Sequence, residues 1–284
     1  MPELPEVETI RRCLLPRVVG RDILGVRVFP DPKGCRWLRG MRSPAEFKRL
    51  LVGRRIEDVR RRAKYLLFDL DSGEILVVHL GMSGQLLLRP AAAEVPRHAR
   101  IGFSLEGGSV LYANDPRKFG EAYVYSEPAG RTAVDPFRLG PEPLSPTWSR
   151  ENLARALAGR TAPIKALLLN QTLVAGLGNI YTDEALFRAR IHPLVPGGNL
   201  DGARVRALHG AVRRVLREAI AHQGTSAADR QYVDGEGRLG RFQNRLRVYQ
   251  RRGLPCPACS APILTLKTGG RTAHFCPRCQ REPR

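Results

Sequence analysis

Tyr65-Leu66-Leu67-Phe68-Asp69-Leu70-Asp71-Ser72-Gly73-Glu74-Ile75-Leu76-Val77-Val78 holds two short apolar runs parted by a turn rich in acids and glycine. Short runs of β-branched, aromatic and aliphatic residues bounded by such turns read as strands. The same pattern recurs at Gln85 to Leu88, Ile101-Gly102-Phe103, Val110-Leu111-Tyr112 and Ala122-Tyr123-Val124-Tyr125. Several such strands at close spacing predict an antiparallel β-sandwich for the first half. Two helices accompany it. One runs from about Pro5 to Leu15 and is interrupted at Pro16. The other begins at Ser43-Pro44-Ala45-Glu46, a capping-box start with proline at the first helical position, and continues with Phe47, Leu50 and Leu51 as its apolar face.

Outward from the sandwich, Glu127 to Pro146 carries five prolines and two glycines without apolar periodicity, and reads as a linker. The second half turns helical, with segments predicted from about Ser149 to Ala158, Pro163 to Leu169, Asn179 to Arg190 and Asp201 to His222. A polar loop from Thr225 to Gly240 leads into a cysteine-rich tail. The expected class is α+β, with a sandwich domain over 1–138, a helical domain over 139–245 and a metal-stapled hairpin over 246–284.

Charge narrows the partner. The 284 residues carry 47 Lys+Arg against 27 Asp+Glu, a formal +20, which points to a polyanion, nucleic acid before an acidic membrane surface. From Arg238 to Arg284 there are 11 basic residues against Glu282 alone. No signal peptide opens the chain and no apolar run reaches membrane-spanning length, so a cytoplasmic, nucleoid-associated protein is expected. Six cysteines in that setting point to metal or free thiols, with Cys13 and Cys35 as small packing residues.

The tail reads Cys256-x-x-Cys259, sixteen residues, then Cys276-x-x-Cys279, the spacing of a structural zinc site. Four thiolates close a tetrahedron and leave no position open for substrate, so one zinc ion holds shape there. Between the knuckles, Gly269-Gly270 predicts a hairpin turn with Arg271 beside it, either a phosphate or groove ligand or a solvated turn arginine. Pro163 to Leu169, then Asn170 to Tyr181, reads as helix, glycine-bearing turns, helix. Asn179 stands where an N-cap belongs, on a helix N-terminus suited to a DNA phosphate. His79 to Gly84 and Asp115 to Gly120 place Met82, Arg117 and Phe119 on two loops. Such side chains can wedge into a base stack, and equally can be core residues. Lys64 fits either a strand start or a phosphate ligand.

The chain opens Met1-Pro2-Glu3-Leu4-Pro5-Glu6-Val7-Glu8. Removal of Met1 leaves a secondary amine at Pro2 beside carboxylates, and an α-amino group titrates near 7.7–8 against about 10.4 for lysine. Those are parts for Schiff-base chemistry, and equally an ordinary helix start with acids on its dipole.

Together these motifs, five in order along the whole chain, resemble the formamidopyrimidine-DNA glycosylase / endonuclease VIII family. The resemblance implies a β-sandwich carrying the N-terminal helix, a helix–two-turns–helix domain and a zinc finger, with double-stranded DNA running between domains and a monomeric enzyme. It implies base excision of oxidised purines, 8-oxoguanine and formamidopyrimidines, followed by strand cleavage through β,δ-elimination. Pro2 would be the nucleophile and Glu3 its acid/base partner, with Lys64 assisting β-elimination and Arg271 δ-elimination. Met82, Arg117 and Phe119 would fill the void left by the flipped nucleotide. His98, Lys165 and Asn179 would hold phosphates, with Arg160 standing one place off the family's usual basic position. Glu6 would shape the base pocket under the Thr225–Gly240 loop, and Cys256, Cys259, Cys276 and Cys279 would bind zinc.

Lys118 stands where a second arginine is common, which loses bidentate geometry. Thr225-Ser226-Ala227-Ala228-Asp229 is small and unusual for a lesion loop. Two rival readings remain, an endonuclease VIII-type enzyme for oxidised pyrimidines and a non-catalytic DNA-binding zinc-finger protein. Leu4 favours the purine branch, because the sister branch usually has glycine there.

Overall fold

The computed structural model describes residues 2–30, 37–38, 41–126, 138–226 and 232–281. Met1, Cys35, residues 127–137 of the expected linker and residues 227–231 of the polar loop lie outside the described residues. The chain divides into two compact units, Met1–Val134 with His222–Gln243, and Asp135–Ala221 with Asn244–Arg284.

In the first unit, α1 (Leu4–Val18) precedes β1 (Ile23–Val28), α2 (Pro44–Leu51) and seven further strands. These are β2 (Ile56–Arg62), β3 (Tyr65–Leu70), β4 (Glu74–His79), β5 (Gln85–Pro90), β6 (Ala99–Leu105), β7 (Ser109–Asn114) and β8 (Glu121–Ser126). They form two antiparallel four-stranded sheets, ordered β1-β6-β7-β5 and β2-β3-β4-β8. The two runs around the acidic turn pair as expected, Leu66 opposite Val78 and Phe68 opposite Leu76. Both sheets and both helices send apolar side chains into one core, including Phe68, Phe103, Leu86 and Leu111. Val7, Ile10, Leu14 and Val18 line the stripe of α1 that enters it, a helical spacing.

That stripe explains why α1 passes Pro16 to end at Val18. Proline removes one backbone donor, but Pro16 is exposed and lies in the last turn, while Val18 beyond it is buried in the core. Burial of Val18 and the Val19 N–H to Leu15 carbonyl bond complete the turn. At α2, Ser43 accepts from the Glu46 N–H at 3.1 Å, and Glu46 reaches back to the Arg42 N–H at 2.9 Å. The reciprocal arm of the capping box therefore lands one residue before the cap.

The second unit holds α3 (Arg150–Leu157), α4 (Ile164–Leu169), α5 (Asn179–Arg188), α6 (Gly202–Ala221) and the hairpin β9 (Leu264–Thr268) and β10 (Arg271–Phe275). Gly269 and Gly270 join the hairpin with φ of +57° and +70°, the backbone a two-residue primed turn requires. Helix α5 is buried from Ile180 to Phe187, and two consecutive acids on it seat the tail. Asp183 accepts from Lys165 Nζ of α4 at 2.6 Å and from the backbone N–H and ring of His274 in β10, each at 3.0 Å. Lys165 also donates to the Thr272 carbonyl at 2.8 Å. Glu184 Oε1 accepts the N–H groups of Arg247, Val248 and Tyr249 at 2.9, 2.9 and 3.1 Å, and its other oxygen takes Arg188 at 2.8 Å.

Removing one partner of a buried ion pair leaves an uncompensated charge, at a cost of about 3–5 kcal/mol, whereas replacing both with apolar groups can be neutral. Asp183→Ala is therefore expected to lower the thermal midpoint sharply, and Lys165→Met combined with Asp183→Leu to recover only part of the loss, because the His274 N–H stays without its acceptor. Thermal unfolding of the three proteins is the measurement, and an Asp183→Ala protein as stable as the parent would refute the assignment.

Candidate active site

The N-terminal segment is interior. Pro2 is buried, and Glu3 and Glu6 are 2% and 1% exposed. Glu3 is the N-cap of α1, with Pro5 and Glu6 in the first turn. Glu6 Oε2 accepts the Glu3 N–H at 2.8 Å, and its Oε1 accepts the Thr225 N–H at 2.7 Å. One carboxylate thus ties the chain's first residues to the start of the polar loop, and Pro2, Glu3, Glu6 and Thr225 come together. The far side of that loop is also fixed. Ser226 Oγ donates to the Tyr232 carbonyl at 2.8 Å and accepts the Gly240 N–H at 2.9 Å. Gly235 lies against Leu14 and Cys13 so closely that a Cβ there would strike Leu14.

Lys64 occupies the two-residue connection between β2 and β3, beside Ala63, whose φ of 52° lies in the left-handed region. Lys64 is 8% exposed. Burial, and then the charge of Lys64, push the His79 imidazole down to about 4, so His79 is neutral at neutral pH. The connection is braced from α1. Arg61 donates to the Ala63 carbonyl at 3.0 Å and to Glu8 at 3.1 Å, and Glu8 also takes Arg11 at 2.9 Å and Arg12 at 2.7 Å. Burial raises the Glu8 carboxyl, but hydrogen bonds from Arg11 and Arg12 and the charges of Arg11 and Arg61 prevail and hold it at about 2.

Met82 is half-buried, Arg117 is exposed and Phe119 is 46% exposed, with the Arg117 guanidinium 5.1 Å from the Phe119 ring centre. Large exposed aromatics are uncommon on a surface, so Phe119 is displayed and does not belong to the core. His98 is half-buried, and its backbone is locked by the Asn114 side chain at 3.1 Å and the Asp115 N–H at 2.9 Å.

In the second unit, Gly178 is the N-cap of α5 and Asn179 its first helical residue, so the capping role expected of Asn179 falls to the glycine before it. Asn179 Oδ1 and Thr182 Oγ1, one turn apart, are buried without a partner among the described residues. Arg160 is exposed, bonded to the Ala156 carbonyl at 2.7 Å. Lys165, which the resemblance makes a phosphate ligand, is 0% exposed, with its ammonium engaged by Asp183 and Thr272. Arg271 begins β10, exposed and opposite Thr268. It directly precedes the residue that Lys165 holds.

The four tail cysteines gather at one point, their sulfurs all within 4.8 Å of one another. The Cys256–Cys279 and Cys259–Cys276 sulfurs are 3.9 and 3.4 Å apart, too far for disulfides at about 2.05 Å. A tetrahedron with zinc–sulfur bonds of about 2.3 Å has edges of about 3.8 Å, which these sulfurs fit. The N–H groups of Ala258 and Cys279 point at the sulfurs of Cys256 and Cys276, each at 3.4 Å, the polarity a thiolate needs. Among the described residues no helix is long and apolar enough to cross a membrane.

Residues 1–122 match the family model of the formamidopyrimidine-DNA glycosylase N-terminal domain, 139–231 the H2TH domain of the same enzymes, and 253–281 the zinc finger found in FPG and IleRS. The formamidopyrimidine-DNA glycosylase of Chloroflexus aurantiacus is 47% identical over 280 residues, 99% of this chain and 98% of that protein. The Thermus thermophilus protein of that name is 44% identical over 284 residues, 99% of each. The crystal structure of the Thermus thermophilus MutM (Fpg) protein superposes with a TM-score of 0.86 over 100% of both chains at 44% identity. Lactococcus lactis Fpg in complex with DNA containing Fapy-dG superposes with a TM-score of 0.88 at 35% identity, over 99% of this chain and 100% of that one.

Two outcomes follow from the geometry. The Glu8 carboxyl falls from an ordinary 4.5 to about 2 on folding, so its ion pairs stabilise the protein above about 4.5 and are lost as pH drops toward 2. Glu8→Gln lacks that contribution. Its stability deficit against the parent is expected to be constant near neutrality and to close between pH 4.5 and 2. A deficit that persists unchanged at the acid end would contradict the ionic account, and denaturant titrations across pH decide it. Separately, Cys256→Ser is expected to lose bound zinc and weaken DNA binding. Retention of both by metal analysis and titration would remove the finger from the interface.

Proposed function

The chain belongs to the formamidopyrimidine-DNA glycosylase family, and we propose that its chemistry is carried by the amine that Pro2 exposes once Met1 is removed. The protein is a DNA glycosylase with abasic-site lyase activity, working in base excision repair on oxidised purines, and its finger holds one structural zinc ion. The proposal concerns which side chains do what. It leans on one observation above the rest. Pro2 and Glu3 are buried at the head of α1, where Glu6 bonds both the Glu3 N–H and the Thr225 N–H.

The Pro2 nitrogen attacks C1′ of the damaged nucleotide, the C1′–base bond breaks with its electron pair leaving on the base, and the proton shed by the nitrogen neutralises the departing base. Glu3 delivers the proton that opens the sugar ring, and the nitrogen lone pair completes an iminium. Lys64 assists removal of the C2′ proton and loss of the 3′ phosphate, and Arg271 assists loss of the 5′ phosphate. The product is a one-nucleotide gap with phosphate at both ends. Glu6 and Thr225 shape the base pocket. Met82, Arg117 and Phe119 occupy the emptied stack, Arg117 facing the orphaned cytosine. His98, Arg160 and Asn179 hold backbone phosphates, Asn179 with a buried oxygen and a helix N-terminus behind it. Lys165 contributes by seating the hairpin that carries Arg271. The enzyme acts as a monomer in the bacterial cytoplasm at the nucleoid.

The test is borohydride trapping on duplexes that carry 8-oxoguanine opposite cytosine, with thymine glycol alongside. A covalent adduct with the purine lesion is expected; Pro2→Gly, which keeps a free α-amine, should impair glycosylase turnover, and Glu3→Gln should slow adduct formation by about 10²–10⁴-fold. Correctly trimmed protein that forms no adduct would overturn the Schiff-base reading. Preference for thymine glycol would move the enzyme to the oxidised-pyrimidine branch. Log affinity should also fall steeply with log salt, as phosphate neutralisation requires.

A further inference from the structure

Asp115 follows β7 and is 0% exposed, and its carboxylate receives four donors. Oδ1 takes the Ser83 hydroxyl at 2.5 Å and the Arg117 N–H at 3.1 Å. Oδ2 takes the Gly120 N–H at 2.9 Å and the Trp37 indole at 3.1 Å. Arg100 adds a bond to the Asp115 carbonyl at 2.9 Å. Ser83 directly follows Met82, and Arg117 and Gly120 bracket Phe119. One buried charge therefore holds the roots of both displayed loops.

The loops also meet backbone to backbone. Gly81 has φ +58°, and a Cβ there would drive into the carbonyl of Phe119. Gly120 abuts the Trp37 indole so closely that a Cβ there would penetrate it. Lys118, between Arg117 and Phe119, sits at φ 61°, a conformation that persists only when its surroundings over-determine it. At the tip the Arg117 guanidinium rests over the Phe119 ring, 5.1 Å from its centre.

We propose that Asp115, acting through Ser83, is a positioning residue that locks Met82 and the Arg117–Phe119 loop into one rigid wedge and thereby sets selectivity for the base opposite the lesion. This rests on the reading of those three side chains given above. Discrimination between partner bases requires guanidinium donors held in a fixed place and orientation, because the competing base presents a different donor–acceptor edge. A wedge pays the unstacking cost in concert only if its parts cannot yield separately. Among the described residues, Ser83 is the side chain of the Met82 loop that bonds the carboxylate.

The experiment compares the full-length parent with Ser83→Ala, Asp115→Asn and Arg117→Ala. Single-turnover excision of 8-oxoguanine is measured opposite cytosine and opposite adenine. Cleavage of an abasic single strand, which has no partner base and no duplex stack to invade, is followed in parallel. Ser83→Ala deletes one hydrogen bond to a buried charge, so excision opposite cytosine should fall about tenfold. The cytosine-to-adenine ratio should shrink at least about threefold, and single-strand cleavage should stay within about twofold of the parent. Asp115→Asn should act in the same direction and more strongly. If it fails to fold, Ser83→Ala decides alone. A parental ratio in Ser83→Ala, or single-strand cleavage reduced in proportion to excision, overturns the proposal. If Arg117→Ala collapses the ratio while Ser83→Ala and Asp115→Asn keep it, the wedge reading stands and only the coupling falls. If Arg117→Ala itself leaves the ratio unchanged, the wedge reading fails and the coupling with it.

Discussion

A carboxylate taken out of water must be met by donors or cations, or the fold loses more than it can spare. In a chain with 27 acids against 47 Lys+Arg, the buried acids carry much of the architecture. Glu6 joins the head of α1 to Thr225, Glu8 joins α1 to the connection bearing Lys64, and Asp115 joins two loop roots. Asp183 and Glu184 seat the finger on α5. Glu6 and Asp115 act through backbone N–H groups of, or beside, residues with a proposed chemical task, Glu3 for the one and Arg117 and Gly120 for the other. The exposed cations are left to meet polyanion, while the interior negative charge fixes where they stand.

This division accounts for the behaviour of Lys165. The resemblance makes it a phosphate ligand, and lysine is rarely fully buried unless paired. Asp183 supplies the pairing, eighteen residues away along the chain, and no local pattern in residues 163–169 announces it. The finger is seated by the same logic. Gln280 donates to the Ile191 carbonyl at 2.8 Å and accepts the Cys276 N–H at 3.0 Å, so the second knuckle is anchored by a neutral amide as well as by the metal.

What could be read beforehand was whatever repeats a local rule. The strand pairs around Gly73, the Ser43 and Ser149 helix starts, the Gly269-Gly270 turn and the four cysteines all carry their instructions within a few residues. The structure bears out the antiparallel sheets, the helical second half and the cysteine cluster. Strand β2 escaped because its sequence is poor in periodic apolar residues, whereas β1, Ile23-Leu24-Gly25-Val26-Arg27-Val28, does carry a strand-like alternation at Leu24, Val26 and Val28. In β2, Ile56-Glu57-Asp58-Val59-Arg60-Arg61-Arg62, only Ile56 and Val59 enter the core, and register is held by ion pairs such as Arg60 with Asp69 at 2.5 Å. The hubs Asp115, Ser83 and Glu8 were equally silent as hubs. A buried acid looks like any other acid until its partners arrive from distant strands. Trp37 reaches Asp115 across 78 residues.

The contact between Glu6 and Thr225 spans 219 positions, within a unit that also claims His222–Gln243. Synthesis proceeds from the N-terminus, so the segment that would carry the reactive amine emerges first and the backbone donor that completes its neighbour's coordination emerges near the end. Long-range closure of this kind is slow relative to local helix and hairpin formation. A nascent chain stopped anywhere before residue 225 carries Pro2 and Glu3 beside a Glu6 that still lacks its Thr225 donor. The ordering sets a delay between making the N-terminal segment and completing its anchorage.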